Sequence, residues 1–461
     1  MKMQQAFSSY DSVSTTMEIC STVFIEYKLT SILQQCNAYK IKGLSAAEIF
    51  KYLLTNVFED RSMYMQFITG KFRMDCSKNT IYRFMRSQVI NWLKFTTMLA
   101  SVIINKTIRP LTSADRATAF IIDDSIFRRT GYKSTELASQ VFDHVDMKKR
   151  NGFRLMALGW TDGNTFMPVN SCLLASSDKT QVKGPVYEYD KRSIAYRRRK
   201  MAQTKGTTVM IELLKEAIEL GIQAKYVLFD TWFSNPAQIS DVHKLGLNTI
   251  AMIKKSEKRK YSFWGNMMTI NQIFRTMPKK RGRSSYLLSV HVMTGPRCDI
   301  PAKIVFVRNR NNRKDWIALI STDVTLSEEE IIRIYGKRWK IEVFFKTCKS
   351  MLNLGRECHS TSYDALTAHV AVVFVRYMFI SLEQRKDCDD RSLGELFYNM
   401  IDELADITYS ESMFLLVEVM VSTVKELLKL SDEQIQLLVD EFYNKLPSYL
   451  QNRLKCKNIA A

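Results

Sequence analysis

The sequence contains few of the residues that build zinc sites or disulfide frameworks. Its five histidines (His144, His243, His291, His359 and His369) show no metal-ligand spacing. Its nine cysteines are odd in number and scattered, and no two of them form a Cys-x-x-Cys pair. Cysteines of this kind are typical of free thiols in a reducing compartment, so we expect a cytoplasmic protein.

Targeting and membrane-spanning features are also missing from the sequence. The N-terminal segment has no basic stretch followed by an apolar core, so no signal peptide is expected. The most apolar run, Ala368–Leu382, is interrupted by Arg376 and is too short to span a bilayer. We therefore expect this run to form a buried helix.

Positive charge is abundant. The 461 residues include 67 Lys and Arg against 47 Asp and Glu, which gives a formal net charge of +20. Such an excess favours a polyanionic partner, most often nucleic acid, because each neutralised phosphate releases counterions. The hydrophobic content of 46% predicts a folded chain that is large enough for two or three domains.

The N-terminal residues 1–115 are predicted to be a helical DNA-binding domain. Ser45 and Glu48 form a capping-box pattern that opens an amphipathic run through Phe58. A second helix is expected over Ile81–Ala100, after the polar segment 77–80. Lys78 and Arg83 near its start fit either a helix-turn-helix reader of the major groove or a plain helical bundle.

From residue 116 the pattern becomes mixed α/β. Residues 116–254 are predicted as the first part of a core, 255–325 as a β-rich insertion, 326–380 as the second part of the core, and 381–461 as a C-terminal helical region. The apolar runs bounded by turn residues predict strands at Thr118–Ile122, Gly152–Gly159, Thr165–Leu174, Tyr226–Phe229, Asn248–Ile253, Ser285–Met293, Ala302–Arg308 and Trp316–Thr322. A helix is predicted from about Thr207 to Leu220. Basic clusters that include Arg197, Arg198, Lys255 and Arg281 are candidate DNA contacts.

The segment Ile331–Met351 carries an unusual polar pattern. On one continuous helix, Tyr335, Arg338, Glu342 and Lys349 would form a single narrow stripe among large apolar residues. Burying such groups without partners costs several kcal/mol. Either a structural ion-pair ladder, with Arg338 and Glu342 as an i,i+4 pair, or a metal ion with a phosphate chain would compensate this cost.

Acidic residues at the ends of predicted strands suggest a metal-dependent site. Asp123 and Asp124 follow one strand, Asp230 follows another, and Glu342 lies on the polar stripe. Carboxylates so placed can hold two divalent ions that activate water or a 3′-hydroxyl and stabilise the leaving oxygen of a phosphoryl displacement. Hard oxygen ligands favour Mg²⁺, with Mn²⁺ as a substitute.

Three segments of the sequence resemble the motif blocks of DDE transposases of the insertion-sequence 4 family: IIDDS, YVLFDTWFSNP and YGKRWKIEVFFKTCK. The Tyr-x2-Arg-x3-Glu-x6-Lys pattern of that family is matched by Tyr335, Arg338, Glu342 and Lys349. The resemblance covers about residues 116–380. It implies a ribonuclease H-like mixed sheet with helices, interrupted by a β-rich insertion and flanked by helical N- and C-terminal regions.

By this resemblance, Asp123, Asp230 and Glu342 would be the catalytic metal-binding acids. Asp124 is the alternative first acid, but the family's Asp-x-Ser/Thr pattern favours Asp123 with Ser125. Tyr335, Arg338 and Lys349 would grip phosphates of the transposon end. An aromatic residue of the insertion would support a flipped base. Trp264 and Trp316 are candidates for this role, although a core tryptophan is the simpler interpretation of both, and Trp232 is expected to pack under the site.

The resulting functional hypothesis is a bacterial, nucleoid-associated transposase. It would bind terminal inverted repeats, cleave at the element ends and join them to target DNA as a homodimer in a synaptic complex, with the C-terminal helices as dimer contacts. Two alternatives remain: a structure-selective nuclease of the same fold without strand transfer, and a non-enzymatic DNA-binding regulator derived from a transposase. The retention of all candidate acids argues against the regulator.

Overall fold

The structure, a computed structural model, describes most of the chain between residues 16 and 445. The described ranges are 16–40, 42–59, 62–70, 72, 74–113, 116–143, 147–281, 284–309, 315–386, 420–421, 423–425 and 427–445. Within them, helices flank both ends of a mixed α/β chain with one large sheet. The predicted fold class is thereby confirmed.

The N-terminal part is helical, as predicted. Its α-helices are α1 Thr16–Glu26, α2 Leu29–Gln35, α3 Ala46–Thr55, α4 Met63–Ile68, α5 Lys78–Met85 and α6 Trp92–Ile103. The predicted capping box at Ser45 and Glu48 is present. The single helix predicted over Ile81–Ala100 is wrong, because α5 ends at Met85 and Asn91 caps a separate helix. Since α4 also lies between α3 and α5, the short turn of the helix-turn-helix hypothesis is absent from this described region.

Eleven strands form the sheet. They are β1 Ala119–Arg128, β2 Ser139–Asp143, β3 Lys148–Thr161, β4 Phe166–Leu174, β5 Tyr226–Phe229, β6 Asn248–Met252, β7 Lys260–Phe263, β8 Asn266–Thr269, β9 Leu288–Thr294, β10 Ile300–Arg308 and β11 Trp316–Ser321. Their order is β2-β3-β1-β5-β6-β11-β10-β9-β7-β8, and β4 pairs with β3. The predicted strands are all found, whereas β2, β7 and β8 were not predicted.

The register between β1 and β5 is decisive for the site. These two strands are parallel neighbours, with Ala119 opposite Tyr226 and Ile121 opposite Leu228. Continuing this register by two residues places Asp123 opposite Asp230. Neighbouring strands lie about 4.8 Å apart, so the two acids are side by side. β1 does not end at Ile122 as predicted, because it continues to Arg128 in antiparallel pairing with β3.

The segment 255–325 extends the same sheet. Its last strand, β11, pairs with β6, and β10, β9, β7 and β8 follow outward. The short helix α10, Ile270–Thr276, begins at Thr269 with a capping box. The segment is therefore hydrogen-bonded to β6, the neighbour of the strand β5 that precedes Asp230.

Three further helices lie between strands along the chain. They are α7 Ile194–Ala202, α8 Gly206–Glu219 and α9 Pro236–His243. The helix predicted near Thr207–Leu220 corresponds to α8 and is confirmed.

The segment Ile331–Met351 forms two helices rather than one. Helix α11 runs from Glu328 to Gly336 and α12 from Trp339 to Ser350. Lys337 and Arg338 between them keep right-handed helical angles. The expectation that the helix carrying the polar stripe is buried is wrong in part, since Trp339 is 64% exposed.

Helix α13, Tyr363–Lys386, is the buried helix predicted from the apolar run. It packs against β4 of the sheet and against α6 and α3 of the N-terminal region. Of the described helices, this one is long and apolar enough to cross a membrane, and 94% of its most apolar window is buried inside the fold.

Arg376 lies at the centre of α13 and joins three parts of the chain. Its side chain is 1% exposed and donates two hydrogen bonds to the Glu357 carboxylate, at 2.6 and 3.1 Å. It also donates to the carbonyls of Leu53, Leu54 and Leu352. Burial alone would raise the pKa of Glu357, but Arg376 and further hydrogen bonds hold it below its usual range.

The C-terminal region predicted over 381–461 lies largely outside the described residues. The described part contains helix α14, Asp432–Lys445.

Candidate active site

Strand alternation separates the two neighbouring aspartates on β1. The Asp123 carboxylate accepts a hydrogen bond from Arg338 Nη1 at 2.9 Å, and the Ser125 hydroxyl accepts one from Lys349 Nζ at 2.6 Å. Asp123 and Ser125 therefore face the α11–α12 region together, as positions i and i+2 of a strand do. Asp124 instead accepts two hydrogen bonds from Arg154 of β3.

Arg338 connects the first strand acid to the helical acid. Its Nη2 donates to Glu342 Oε1 at 2.5 Å, while its Nη1 holds Asp123. The Arg338 side chain is 15% exposed, so these are charge-assisted contacts with little water around them. One guanidinium thus brings together residues that are 219 positions apart in the chain (342 − 123).

Electrostatic interactions with Arg338 and Asp123 place the third acid, Asp230, in the same cluster. Burial would lower the pKa of Arg338, but Tyr335, Asp123, Asp230 and Glu342 outweigh it and raise that pKa above its ordinary value. Burial raises the pKa of Asp123 to about 7, Arg338 opposes this shift, and Asp124 and Asp230 add to it. Each of the three candidate acids therefore lies within the electrostatic reach of Arg338.

A cleft of about 890 Å³ opens beside these strands. It is lined by Asp123, Asp124 and Asp230 among its acids and by Lys349 from α12. The Asp230 carboxylate accepts a hydrogen bond from the Thr231 backbone N–H at 2.6 Å, which fixes its position at the end of β5.

Tyr335 and Lys349 flank the cluster from opposite ends of the two helices. The Arg338 guanidinium lies over the Tyr335 ring at 6.0 Å from its centroid, and burial raises the pKa of the Tyr335 phenol. Burial lowers the pKa of Lys349, which reaches Ser125 on β1. Together with Arg338 and Glu342, all four residues of the motif are gathered beside β1.

The other candidate DNA contacts lie outside the lining of this cleft. Arg83, Arg197 and Arg281 are exposed and available to a phosphate. Lys78 is half-buried over the rings of Tyr64 and Phe67. Lys255 pairs with Asp315 and lies 4.0 Å from the centre of the Trp316 ring.

Arg198 does not fit the prediction that it contacts DNA. Its side chain is only 10% exposed, and it donates to the Asp364 carboxylate and to the Ile90 carbonyl. The neighbouring Arg199 is also buried, between Glu136 and Asp364. Part of the basic run on α7 therefore belongs to an internal ion-pair network, and the prediction that Arg198 contacts DNA is wrong.

The tryptophans differ in their surroundings. Trp316 stacks on Phe274 and packs edge-to-face on Phe306, as expected for a core residue. Trp264 is 71% exposed at the tip of the β7–β8 hairpin, in contrast to the simpler interpretation of a core position. Trp232 does not pack under the site, because it is 49% exposed and lines the cleft.

The donor atoms of the clustered acids determine which cations they can bind. Among the described residues, no three carboxylate, histidine or cysteine side chains form a ready-made metal site. However, the guanidinium between Asp123 and Glu342 shows that these oxygens favour a cation at this position. The donors are hard carboxylate oxygens, a type of ligand that suits divalent cations.

Several cleft residues were missed in the sequence. Arg154 on β3 bridges Asp124 and Trp232, and Arg128, Lys254 and Arg356 also line the cleft. Arg154 is a charged residue inside the apolar run Gly152–Gly159, and this position was the available signal. Strand alternation directs such a side chain away from the core. Arg128 and Lys254 each precede a second basic residue and Arg356 lies in a connecting segment, and local sequence does not show which of these residues face the cleft.

Two family descriptions match overlapping parts of the chain. Residues 58–262 match a DDE superfamily endonuclease, and residues 186–379 match a transposase DDE domain. No curated protein matches the chain. The first match contains Asp123 and Asp230, the second contains Asp230 and Glu342, and the large mixed sheet agrees with the ribonuclease H-like fold of such enzymes. The matches and the clustered acids together support a DDE transposase, an enzyme class that acts on DNA and generally depends on divalent metal ions.

Proposed function

We propose that this chain is a transposase of the insertion-sequence 4 type. It binds the terminal inverted repeats of its element, cleaves the DNA at the element ends, and joins these ends to target DNA. The observation that carries the proposal is the position of Arg338, which holds Asp123 and Glu342, while Asp230 directly follows β5, the parallel neighbour of β1. This combination of acids is suited to phosphoryl transfer.

Asp123, Asp230 and Glu342 would hold the divalent ions, with Mg²⁺ as the natural ion and Mn²⁺ as a substitute. When bound, two such ions supply an activated water or 3′-hydroxyl and a stabilised leaving oxygen. Asp124 keeps its ion pair with Arg154 on the other face of β1. The exposed residues Arg83, Arg197 and Arg281 are candidate phosphate contacts along the flanking DNA.

Arg338 has two roles in this proposal. Before DNA binds, its guanidinium neutralises Asp123 and Glu342, which would otherwise repel each other in a half-buried site. Asp123 and Glu342 would hold a divalent cation through their carboxylate oxygens, and the Arg338 guanidinium, once released from them, would donate to a phosphate of the DNA end. Arginine is suited to both partners because its planar fork matches carboxylate and phosphate equally well.

For the domains we propose the arrangement predicted from the sequence. The N-terminal helices and the insertion carry basic residues for the end sequence, and the core supplies the acids. We propose a homodimer in a synaptic complex, with the C-terminal helices as dimer contacts. Most of that C-terminal region lies outside the described residues.

A strand-transfer assay tests the proposed function. Linear DNA carrying the sequences that flank the protein's own gene is incubated with the protein, Mg²⁺ and a supercoiled target plasmid. The expected products are cut ends and plasmids joined to those ends. A nuclease of the same fold gives cuts without joined products, and a DNA-binding regulator gives neither, so either of these results would contradict the proposal.

Arg338→Gln tests the double role of the arginine. Removing the positive charge frees Asp123 and Glu342, so the DNA-free variant is expected to bind Mn²⁺ roughly tenfold more tightly, equivalent to about 1.4 kcal/mol. Affinity for the flanking DNA in Ca²⁺ is expected to fall, because a phosphate contact is lost. Titration calorimetry measures both affinities.

Arg333→Gln is the matched control, since Arg333 is an exposed arginine on helix α11, which ends two residues before Arg338. Its affinity for Mn²⁺ should remain that of the unmodified protein. Equal or weaker Mn²⁺ binding by folded Arg338→Gln would show that Arg338 does not compete with the metal ion.

A further inference from the structure

Two of the cations that line the candidate active-site cleft are unpaired among the described residues. They are Lys254 and Arg356, whose side chains are exposed and have no hydrogen bond or ion pair to any residue that the structure describes. Each of the other three cleft cations has an acceptor in the protein itself: Arg128 binds Asp143, Arg154 binds Asp124 and Lys349 binds Ser125. The cleft therefore keeps two positive charges available to an anionic ligand.

Arg356 lies on a fixed loop between α12 and α13. On one side of it, the Gly355 N–H donates to Nε2 of the buried His369 at 3.1 Å. Burial lowers the pKa of His369 to about 4, so its ring is neutral at pH 7 and Nε2 can accept this bond. On the other side, the Glu357 carboxylate is held by Arg376. Because the backbone on both sides of Arg356 is held, less conformational entropy is lost when its guanidinium binds a ligand.

The two unpaired cations lie on opposite sides of the strand acids. Arg129, the residue after β1, donates to two backbone carbonyls within residues 358–360 at 2.7 and 2.8 Å, which places the loop of Arg356 at the end of β1. Lys254 follows the end of β6 by two residues. In the sheet, β5 lies between β1 and β6. The acids on β1 and after β5 therefore lie between Arg356 and Lys254.

We infer that Arg356 and Lys254 are positioning residues that bind two phosphates of the cleaved strand, one on each side of the phosphate that is cut. The strand then crosses the edge of the sheet between the β6 side and the end of β1, with its central phosphate at the acids. Arginine binds a phosphate through two parallel N–H donors, and lysine binds it as a point charge. Fixing the strand at two points holds the reacting phosphate in place. This inference rests on the proposed function, because it assumes that DNA occupies the cleft.

The test neutralises single phosphates of the DNA. Duplex probes with the sequence that flanks the gene each carry one uncharged methylphosphonate, at successive positions of the cleaved strand, and the full-length protein binds them in Ca²⁺. Neutralising a phosphate that a cation contacts should weaken binding by the unmodified protein roughly tenfold. Arg356→Gln should lose a similar affinity for the all-phosphate duplex and lose nothing further when its own phosphate is neutralised. Lys254→Gln should behave in the same way at a different phosphate, on the other side of the cut.

Two further variants serve as controls, and circular dichroism shows that each variant is folded. Arg192→Gln removes an arginine that is 91% exposed and lies outside the lining of the cleft, so it should respond to every probe as the unmodified protein does. Arg356→Lys keeps a positive charge and should retain part of the affinity that Arg356→Gln loses. The inference is overturned if the effect of folded Arg356→Gln or Lys254→Gln is the same with every probe. Because this dependence is measured by binding, an absence of cleavage by the unmodified protein counts against the proposed function alone.

Discussion

Replacing Glu342 with Gln is expected to slow cleavage of the flanking DNA by about a thousandfold or more, which corresponds to about 4 kcal/mol in the barrier. The amide keeps the shape of the side chain but loses the negative charge that a divalent ion requires. Binding of the same DNA in Ca²⁺ should change little, because Glu342 is not a phosphate contact. Cleavage rates under single-turnover conditions and a gel-shift titration measure the two quantities.

Three further variants sharpen this prediction. Glu219→Gln removes an exposed glutamate of α8 and should leave cleavage unchanged. Asp123→Asn should be as inactive as Glu342→Gln, whereas Asp124→Asn should retain more activity, because Asp124 is engaged by Arg154. Efficient cleavage by Glu342→Gln would remove this residue from the catalytic acids.

The second large effect concerns stability. Arg376→Met is expected to lower the free energy of unfolding by roughly 3–5 kcal/mol. The variant leaves the Glu357 carboxylate buried without its main counter-ion, and it leaves the carbonyls of Leu53, Leu54 and Leu352 without the Arg376 donor. Urea unfolding followed by circular dichroism measures the change.

The control for charge alone is Arg192→Met. Arg192 is 91% exposed and pairs with Asp190 at the surface, so its loss should cost less than about 1 kcal/mol. Adding Glu357→Gln to Arg376→Met should recover part of the lost stability, because an amide is less costly to bury than a charge. Equal effects of Arg376→Met and Arg192→Met would mean that the buried pair contributes nothing specific.

Strands were the most predictable part of the fold. Tyr226–Phe229 was predicted with the bounds that the structure shows, because a short apolar run ends at Asp230 and begins after a helix end. Gly221, with its positive φ, ends the preceding helix as expected of a glycine. Where strand residues are less apolar, as in β7 and β8, the pattern was missed.

The grouping of the acids was predictable in part. Parallel strands carry their following residues to one edge, which links Asp123 with Asp230. The position of Glu342 depended on the resemblance of the Tyr335–Lys349 motif, because no local rule brings α12 to that edge. The break between α11 and α12 has only a weak signal in the sequence, Gly336 at the end of α11, because Lys337 and Arg338 keep helical angles and no proline intervenes.

Charge runs were the least reliable guide. Arg197 and Arg198 are neighbours in sequence, yet Arg197 is exposed and Arg198 pairs with Asp364, which lies 166 residues later. A helix turns its successive residues to different sides, so only part of a basic run can face DNA. The distant acid Asp364 decides which of these arginines is buried, and the sequence of the basic run does not show this.

The pairing of β11 with β6 also limits how this protein can be shortened. Removing residues 255–325 to obtain a minimal catalytic fragment would strip β6 of its antiparallel neighbour along Ile250, Ala251 and Met252. The exposed N–H and C=O groups of that new edge would invite pairing between molecules. An aggregating fragment would therefore reveal an unprotected sheet edge rather than a role of the removed segment in DNA recognition.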